Sequence, residues 1–294
     1  STVGEVSDIR KTIHPALIND PESRLVYIDF SGSGLQLGGS SFAQTLNSIG
    51  DQTPDTDFKT IINAFEGVQK LIKSDTVLSG HDISAGGLIT TLLEMNFPNR
   101  KGGLSINLDP FEEQDLIKIL FSENPAVLLQ VKDTESIDEL RESGVTCIEL
   151  GHPTDERVLS LEKNEWKLEL EIDHCRDVWM QSSYQMDKHQ TRPELAEKRF
   201  ANYKLQSLQY QFSDSFKGTF SSYGIDPDRK TSSGIKAAII REKGVNGDRE
   251  MAYSLWLAGF DVKDVHMTDL ITGREDLSDV QMIVFVGGFS NSDV

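Results

Sequence analysis

Short apolar segments alternate with segments of helical periodicity along most of this chain, and this alternation constrains the fold more than any other feature. Five apolar segments predict strands at residues 25–30, 76–80, 103–108, 126–131 and 145–150. Apolar residues at helical spacing predict helices at residues 57–72, 88–95, 112–120 and 134–143. Alternating leucines on both sides of Lys163-Asn164 add a hairpin. Together these elements predict one α/β or α+β domain.

A change in composition divides the rest of the chain. Residues 173–234 are rich in Gln, Ser, Lys and Tyr with patchy apolar periodicity, which predicts a helical connector and a linker. From residue 235 a strand, a turn with two glycines, a helix capped by Asp248 and two more strands follow, in the order that opens a doubly wound sheet. The predicted parts are therefore a mixed-sheet domain at residues 1–172, a connector at 173–234 and a second domain at 235–294.

The charge and the cysteines exclude several classes of protein. Lys plus Arg number 29 against 47 for Asp plus Glu, so the net charge of −18 disfavours partners such as nucleic acid or a membrane surface. Only Cys147 and Cys175 are present, which excludes a disulfide framework and a zinc cluster and favours a cytoplasmic location. The start at Ser1, without Met or leader features, and the glycine turn close to Val294 suggest a piece of a longer protein.

The segment from His81 to Gly87 lies where a predicted strand passes into a predicted helix. A helix start offers free amides to an anion, Ser84 can donate to a phosphate oxygen, and Asp82 can hold Mg²⁺ against that phosphate. Equally, Ser84 can serve only as the helix cap, Asp82 as a turn residue and the glycines as turn geometry. From the residues alone, both interpretations stay open.

Two other glycine-rich segments are weaker candidates. The segments Gly32-x-Gly34 and Gly38-Gly39-Ser40 match neither a P-loop nor a dinucleotide fingerprint, so we interpret them as ordinary turns. The turn at Gly287-Gly288 follows a buried strand, where a backbone amide can stabilise an oxyanion. Neither cysteine is interpreted as its nucleophile, because Cys147 lies in an apolar strand and Cys175 in the connector.

Five separated blocks, in this order and spacing, resemble the family of large single-chain phosphoribosylformylglycinamidine synthases. The resemblance covers nearly the whole chain and is weakest at residues 173–233. The blocks are Leu37-Gly38-Gly39-Ser40-Ser41-Phe42-Ala43-Gln44, residues 81–95, residues 241–252, residues 265–270 and Gly287-Gly288-Phe289-Ser290. The family usually continues the last block as Tyr-Gly-Asp, whereas Asn291-Ser292-Asp293 follows here.

This resemblance implies an ATP-dependent ligase of de novo purine biosynthesis. Such an enzyme converts formylglycinamide ribonucleotide, glutamine and ATP to formylglycinamidine ribonucleotide, glutamate, ADP and phosphate, with ammonia supplied by a glutaminase domain. Residues 1–172 resemble the C-terminal half of its second ATP-binding synthetase module. Residues 235–294 resemble the start of a class I glutamine amidotransferase domain, whose Cys, His and Glu would follow Val294.

The resemblance also assigns individual residues. It implies that Asp82 is a ligand of Mg²⁺, that Ser84 contacts ATP or ADP, and that the Gly288 amide stabilises an oxyanion. The expected partners are the ribonucleotide, glutamine, ATP and the rest of the same longer chain, which would supply the other Mg²⁺ ligands. Two alternatives are a non-catalytic module that holds a nucleotide and docks the glutaminase, and a separate flavodoxin-like binding protein.

Overall fold

The computed structural model describes residues 8, 11–50, 52–205 and 213–289, and the chain divides into two compact units. Unit 1 comprises residues 1–208 and unit 2 residues 209–294. The division between the units falls inside the predicted connector, and the three-part division itself stays a prediction.

Unit 1 contains a seven-stranded sheet in the order β2-β4-β1-β5-β3-β6-β7. Only β3 and β6 pair in parallel, and the other neighbouring strands are antiparallel. The strands are β1 (Arg24–Asp29), β2 (Val77–Asp82), β3 (Gly103–Asn107), β4 (Ala126–Val131), β5 (Cys147–Thr154), β6 (Val158–Lys163) and β7 (Trp166–Glu171). The predicted mixed sheet and its hairpin are therefore confirmed.

Helices cover both faces of this sheet because its inner strand β1 is apolar on both sides. Leu25 and Tyr27 of β1 lie in one core, and Val26 and Ile28 lie in another. The first core includes residues of α3 and α4, and the second includes residues of α2. The helices are α1 (Ser41–Thr45), α2 (Phe58–Lys73), α3 (Gly87–Asn96), α4 (Leu116–Phe121), α5 (Asp138–Glu142), α6 (Ile172–Gln190) and α7 (Pro193–Asn202).

The pairing of β4 determines which loops meet. Because β4 runs antiparallel to both β1 and β2, its first residues lie beside the last residues of those two strands. Ala126 is opposite Asp29, and Val127 is opposite Asp82. The loops that follow β1 and β2 therefore both lie next to the segment that precedes β4.

Unit 2 contains a parallel three-stranded sheet in the order β10-β8-β9. Its elements are β8 (Lys236–Arg241), α8 (Asp248–Leu257), β9 (Asp261–His266), α9 (Met267–Ile271) and β10 (Met282–Phe285). This arrangement confirms the predicted opening of a doubly wound sheet. Among the residues that the structure describes, no helix combines the length and apolarity that crossing a membrane requires.

Three predicted helix starts have different outcomes. Asp57 caps α2 as predicted, since its carboxylate accepts a hydrogen bond from the Thr60 amide at 3.0 Å. The helix predicted at residues 112–120 begins only at Leu116, because the side chain of Asp115 caps it there. The prediction for Asp248 was wrong: it is the first residue of α8, and the cap is Gly247 in a left-handed conformation.

Candidate functional site

Asp82 ends β2 with an exposed carboxylate. Its side chain is 72% exposed, and its Oδ1 atom lies 3.2 Å from Nδ1 of His81. The other ring nitrogen of His81 lies 3.6 Å from the carboxylate of Glu94 on α3. The imidazole therefore lies between two carboxylates, and the one on Asp82 faces solvent.

The turn after β2 exposes Ser84 without using it as a cap. The residue that caps α3 is Gly86, with a φ of +91° and no side-chain hydrogen bond. Ser84 is exposed and accepts a hydrogen bond from the Gly87 amide through its backbone carbonyl at 2.9 Å. The interpretation of Ser84 as the helix cap was therefore wrong, because the left-handed Gly86, two residues later, caps α3.

The glycines of this turn are needed for packing. Gly87 has a φ of +71°, and a Cβ atom there would lie 2.7 Å from the carbonyl oxygen of Leu120. Gly86 is equally restricted, since a Cβ atom would lie 2.3 Å from the Thr90 hydroxyl. The start of α3 thus lies directly against the end of α4 at Gly87, where a larger residue would separate the two helices. A larger residue at position 86 would instead clash with Thr90 of α3 itself.

Glu123 is the residue of this region that sequence reasoning missed. Its Oε1 atom accepts hydrogen bonds from the amides of Gly86 and Ser41, both at 2.8 Å. Glu123 lies just before β4, and its role depends on the antiparallel pairing of that strand with β1 and β2. No local pattern around Glu123 indicates that pairing, so the sequence carried no signal for it.

The other two glycine segments form turns closed by the protein itself. The carboxylate of Asp29 accepts from the amide of Gly32 at 2.9 Å. The amides of Gly38 and Gly39 donate to backbone carbonyls of Gln52 and Ile49. These amides are not available to a phosphate, in agreement with the prediction that the segments are ordinary turns.

Mg²⁺ fits this site only if further ligands bind the ion together with Asp82. Within residues 11–50, 52–205 and 213–289, no group of three or more His, Cys, Asp or Glu side chains is placed to hold a metal. Mg²⁺ is commonly bound by one or two carboxylates together with phosphate and water oxygens. The exposed carboxylate of Asp82 meets the requirement for one such ligand.

Gly288 in unit 2 lies where a strand ends in a tight loop. It pairs with Val245, and the neighbouring Phe289 amide donates to the Gly244 carbonyl at 2.9 Å. A Cβ atom at Gly288 would lie 2.5 Å from that carbonyl oxygen, so only glycine fits. Within the described part of the chain, nothing accepts a hydrogen bond from the Gly288 amide. Ser290 and the departure at residues 291–293 lie outside the described residues.

Neither cysteine has the environment of a nucleophile. Burial raises the pKa of the Cys147 thiol to about 11, and burial also raises the pKa of Cys175. A catalytic thiol needs the opposite shift, toward the thiolate. The environments of both residues agree with their interpretation as structural.

Two family models match separate parts of the chain. Residues 21–164 match the C-terminal domain of AIR synthase related proteins. Residues 234–294 match the CobB/CobQ-like glutamine amidotransferase domain. The first match lies in unit 1 with Asp82 and Ser84, and the second lies in unit 2 with Gly288.

Curated relatives resemble the chain over nearly its whole length. Phosphoribosylformylglycinamidine synthase of Homo sapiens is 35% identical over 98% of this chain and 22% of its own length. The probable chloroplastic/mitochondrial enzyme of Arabidopsis thaliana is 35% identical over 98% of this chain and 20% of its own. The probable enzyme of Caenorhabditis elegans is 33% identical over 100% of this chain and 23% of its own length. The chain therefore spans about a fifth of the length of these relatives.

Solved structures of Thermotoga maritima PurL are also similar. The complex with ATP is 16% identical and has a TM-score of 0.44, covering 56% of this chain and 27% of that one. The complex with FGAR is 16% identical and has a TM-score of 0.45, covering 56% of this chain and 29% of that one. The sequence relatives and the two family models together identify the chain as a homologue of part of phosphoribosylformylglycinamidine synthase, with an AIR synthase related C-terminal domain followed by a glutamine amidotransferase domain.

Proposed function

We propose that this chain forms part of a glutamine-dependent phosphoribosylformylglycinamidine synthase and contributes to its binding of Mg²⁺ and nucleotide. The reaction joins the nitrogen of glutamine to formylglycinamide ribonucleotide and converts ATP to ADP and phosphate. The observation that carries the proposal is the single turn that presents the Asp82 carboxylate and Ser84 to solvent at the start of α3. The names of the relatives, each a phosphoribosylformylglycinamidine synthase, support this assignment.

Each residue of the turn has a separate task in this proposal. Asp82 would hold Mg²⁺, which when bound neutralises phosphate charge. The Ser84 hydroxyl is exposed and does not cap α3, so it is able to donate to a phosphate oxygen. The amides at the start of α3 that Glu123 does not occupy are left for the phosphate. Gly87 lets the turn lie close against α4, and Gly86 closes the turn in a left-handed conformation.

Gly288 has its task in the amidotransferase part. Its amide would donate to the oxyanion that forms when glutamine is attacked, because that amide has no acceptor among the described residues. The nucleophile would come from outside this sequence, since the raised pKa values of Cys147 and Cys175 disfavour both thiols.

The alternative of a non-catalytic module that only holds a nucleotide is not favoured, because relatives at 33–35% identity are named as synthases. The synthase and the non-catalytic module predict different amounts of glutamate and ADP. With the protein at its native length, the ribonucleotide, ATP, Mg²⁺ and glutamine together should yield glutamate and ADP in equal amounts. Omission of the ribonucleotide should abolish ADP formation. A tightly held nucleotide that never turns over under these conditions would support the alternative.

A further inference from the structure

One carboxylate joins two loops that are distant in sequence. The Oε1 atom of Glu123 accepts hydrogen bonds from the Gly86 amide, in the turn after β2, and from the Ser41 amide, at the start of α1. Both distances are 2.8 Å. Hydrogen bonds to an ionised carboxylate are roughly twice as strong as those between neutral groups. The position of one turn is therefore linked to the position of the other loop.

The topology of the sheet explains why this residue reaches both loops. The carbonyl of Ala126, the first residue of β4, accepts from the Ile83 amide at 2.9 Å. The carbonyl of Pro125 accepts from the Phe30 amide, just after β1, also at 2.9 Å. The segment before β4 is therefore held by the backbone between the ends of β1 and β2. Glu123 extends from that fixed segment.

The neighbouring residue ties the same segment to the loop after β1. Asn124 is 1% exposed, and its side chain accepts from the Gln36 amide at 3.1 Å and donates to the Gly34 carbonyl at 3.1 Å. Phe121 stacks on Phe42 of α1 with ring centroids 4.6 Å apart. The loop from residue 31 to α1 is thus anchored by several side chains. Glu123 links the same segment to the turn after β2, because its carboxylate accepts a hydrogen bond from the Gly86 amide.

We propose that Glu123 is a positioning residue for the nucleotide site, which holds the turn of Asp82 and Ser84 in the geometry that binds Mg²⁺ and phosphate. This inference rests on the proposed function. Because the Gly86 amide already donates to Glu123, that amide does not meet the phosphate. Phosphate recognition at this turn is left to Ser84 and to the amides that Glu123 does not occupy.

Hydrogen–deuterium exchange tests the linkage without any ligand. In Glu123→Ala, amides in residues 36–46 and in residues 82–90 should both exchange faster, by about tenfold, because one acceptor serves both. Glu123→Gln keeps one acceptor oxygen and should show a smaller increase in both segments. Glu165→Ala is the matched control, because this exposed glutamate lies in the turn between β6 and β7. A change confined to one segment, or no change, would overturn the linkage.

Binding of Mg·ADP to the protein at its native length tests the positioning role. Glu123→Ala should raise the dissociation constant by about tenfold, and Glu123→Gln should recover part of that loss. The control should bind like the wild type. Affinity within about twofold of the wild type in Glu123→Ala would overturn the positioning role even if both segments exchange faster. A wild-type protein that binds no Mg·ADP would overturn the proposed function. The hydrogen–deuterium exchange experiment would still support or reject the link between the two loops, because it needs no ligand.

Discussion

Nδ1 of His81 lies 2.7 Å from the backbone carbonyl oxygen of Asp82 and 3.2 Å from its carboxylate, so the imidazole contacts both the end of β2 and the side chain of Asp82. His81→Asn removes both contacts, and a melting temperature equal to that of the wild type would show that the end of β2 is kept. Since fixing a side-chain rotamer costs roughly 0.5–1 kcal/mol, we expect Mg·ADP affinity to fall by about two- to fivefold. Calorimetric titration measures this loss, with His189→Asn at the exposed end of α6 as the control. Equal affinities in both variants would show that His81 does not orient Asp82.

The contact between α3 and α4 predicts a difference between two glycines that share a left-handed conformation. Gly87 has a φ of +71° and no room for a Cβ atom, whereas Gly39 has a φ of +76° and open space around it. Gly87→Ala should therefore lower the free energy of unfolding by about 1–3 kcal/mol more than Gly39→Ala, because overpacking adds to the backbone strain. Chemical denaturation of both variants measures the difference, and equal losses would contradict the close contact.

In unit 2 several hydrogen-bond donors surround the carboxylate of Asp261. The Ser232 hydroxyl, followed by the amides of Ser233 and Gly234 and the guanidinium of Arg229, lowers the pKa of Asp261 well below its ordinary value of 3.8. A lowered pKa in the folded state means that this stabilisation is complete above about pH 4 and is lost as the pH falls through the folded-state pKa.

The expected result is a difference between wild type and Asp261→Asn that depends on pH. Above about pH 4 the variant should melt at a lower temperature than the wild type, and the difference should shrink as the solution becomes more acidic. Thermal melts of the full chain between about pH 2 and pH 7 test this expectation. A melting difference that does not change with pH would show that the charge of Asp261 contributes nothing.

Local patterns were sufficient to predict most elements of the fold. The strand at residues 25–30 was evident because both of its faces are buried, so the residues from Leu25 to Ile28 follow one another without a charged side chain. The cap at Asp57 was evident because its carboxylate acts on an amide only three residues away. In both cases the stabilising contact is encoded within a few residues of the sequence.

The parts that were missed depend on residues far apart in the chain. Glu123 acquires its role only because β4 pairs with both β1 and β2, and strand order is not encoded in the segment itself. The interpretation of Ser84 as the cap of α3, one of two that the sequence left open, was wrong for a different reason. Ser84 belongs to a residue type that favours the cap position, but the left-handed Gly86 closes the turn without a side chain.

The central claim is that Asp82 binds Mg²⁺ together with a nucleotide. Asp82→Asn keeps the size of the side chain and removes its charge, so Mg·ADP affinity of the protein at its native length should fall by about tenfold or more. The affinity for ADP without Mg²⁺ should not change. Asp155→Asn, in the exposed turn between β5 and β6, is the matched control and should bind like the wild type.

Titration of Mg·ADP and of metal-free ADP into the wild type, Asp82→Asn, Ser84→Ala and Asp155→Asn is the most direct test. We expect the largest loss for Mg·ADP in Asp82→Asn and a smaller loss in Ser84→Ala, because deleting one hydroxyl leaves the backbone amides in place. Melting temperatures should stay close to that of the wild type, since Asp82 is exposed and Ser84 does not cap α3. Asp82→Asn that binds Mg·ADP as tightly as the wild type would contradict the account.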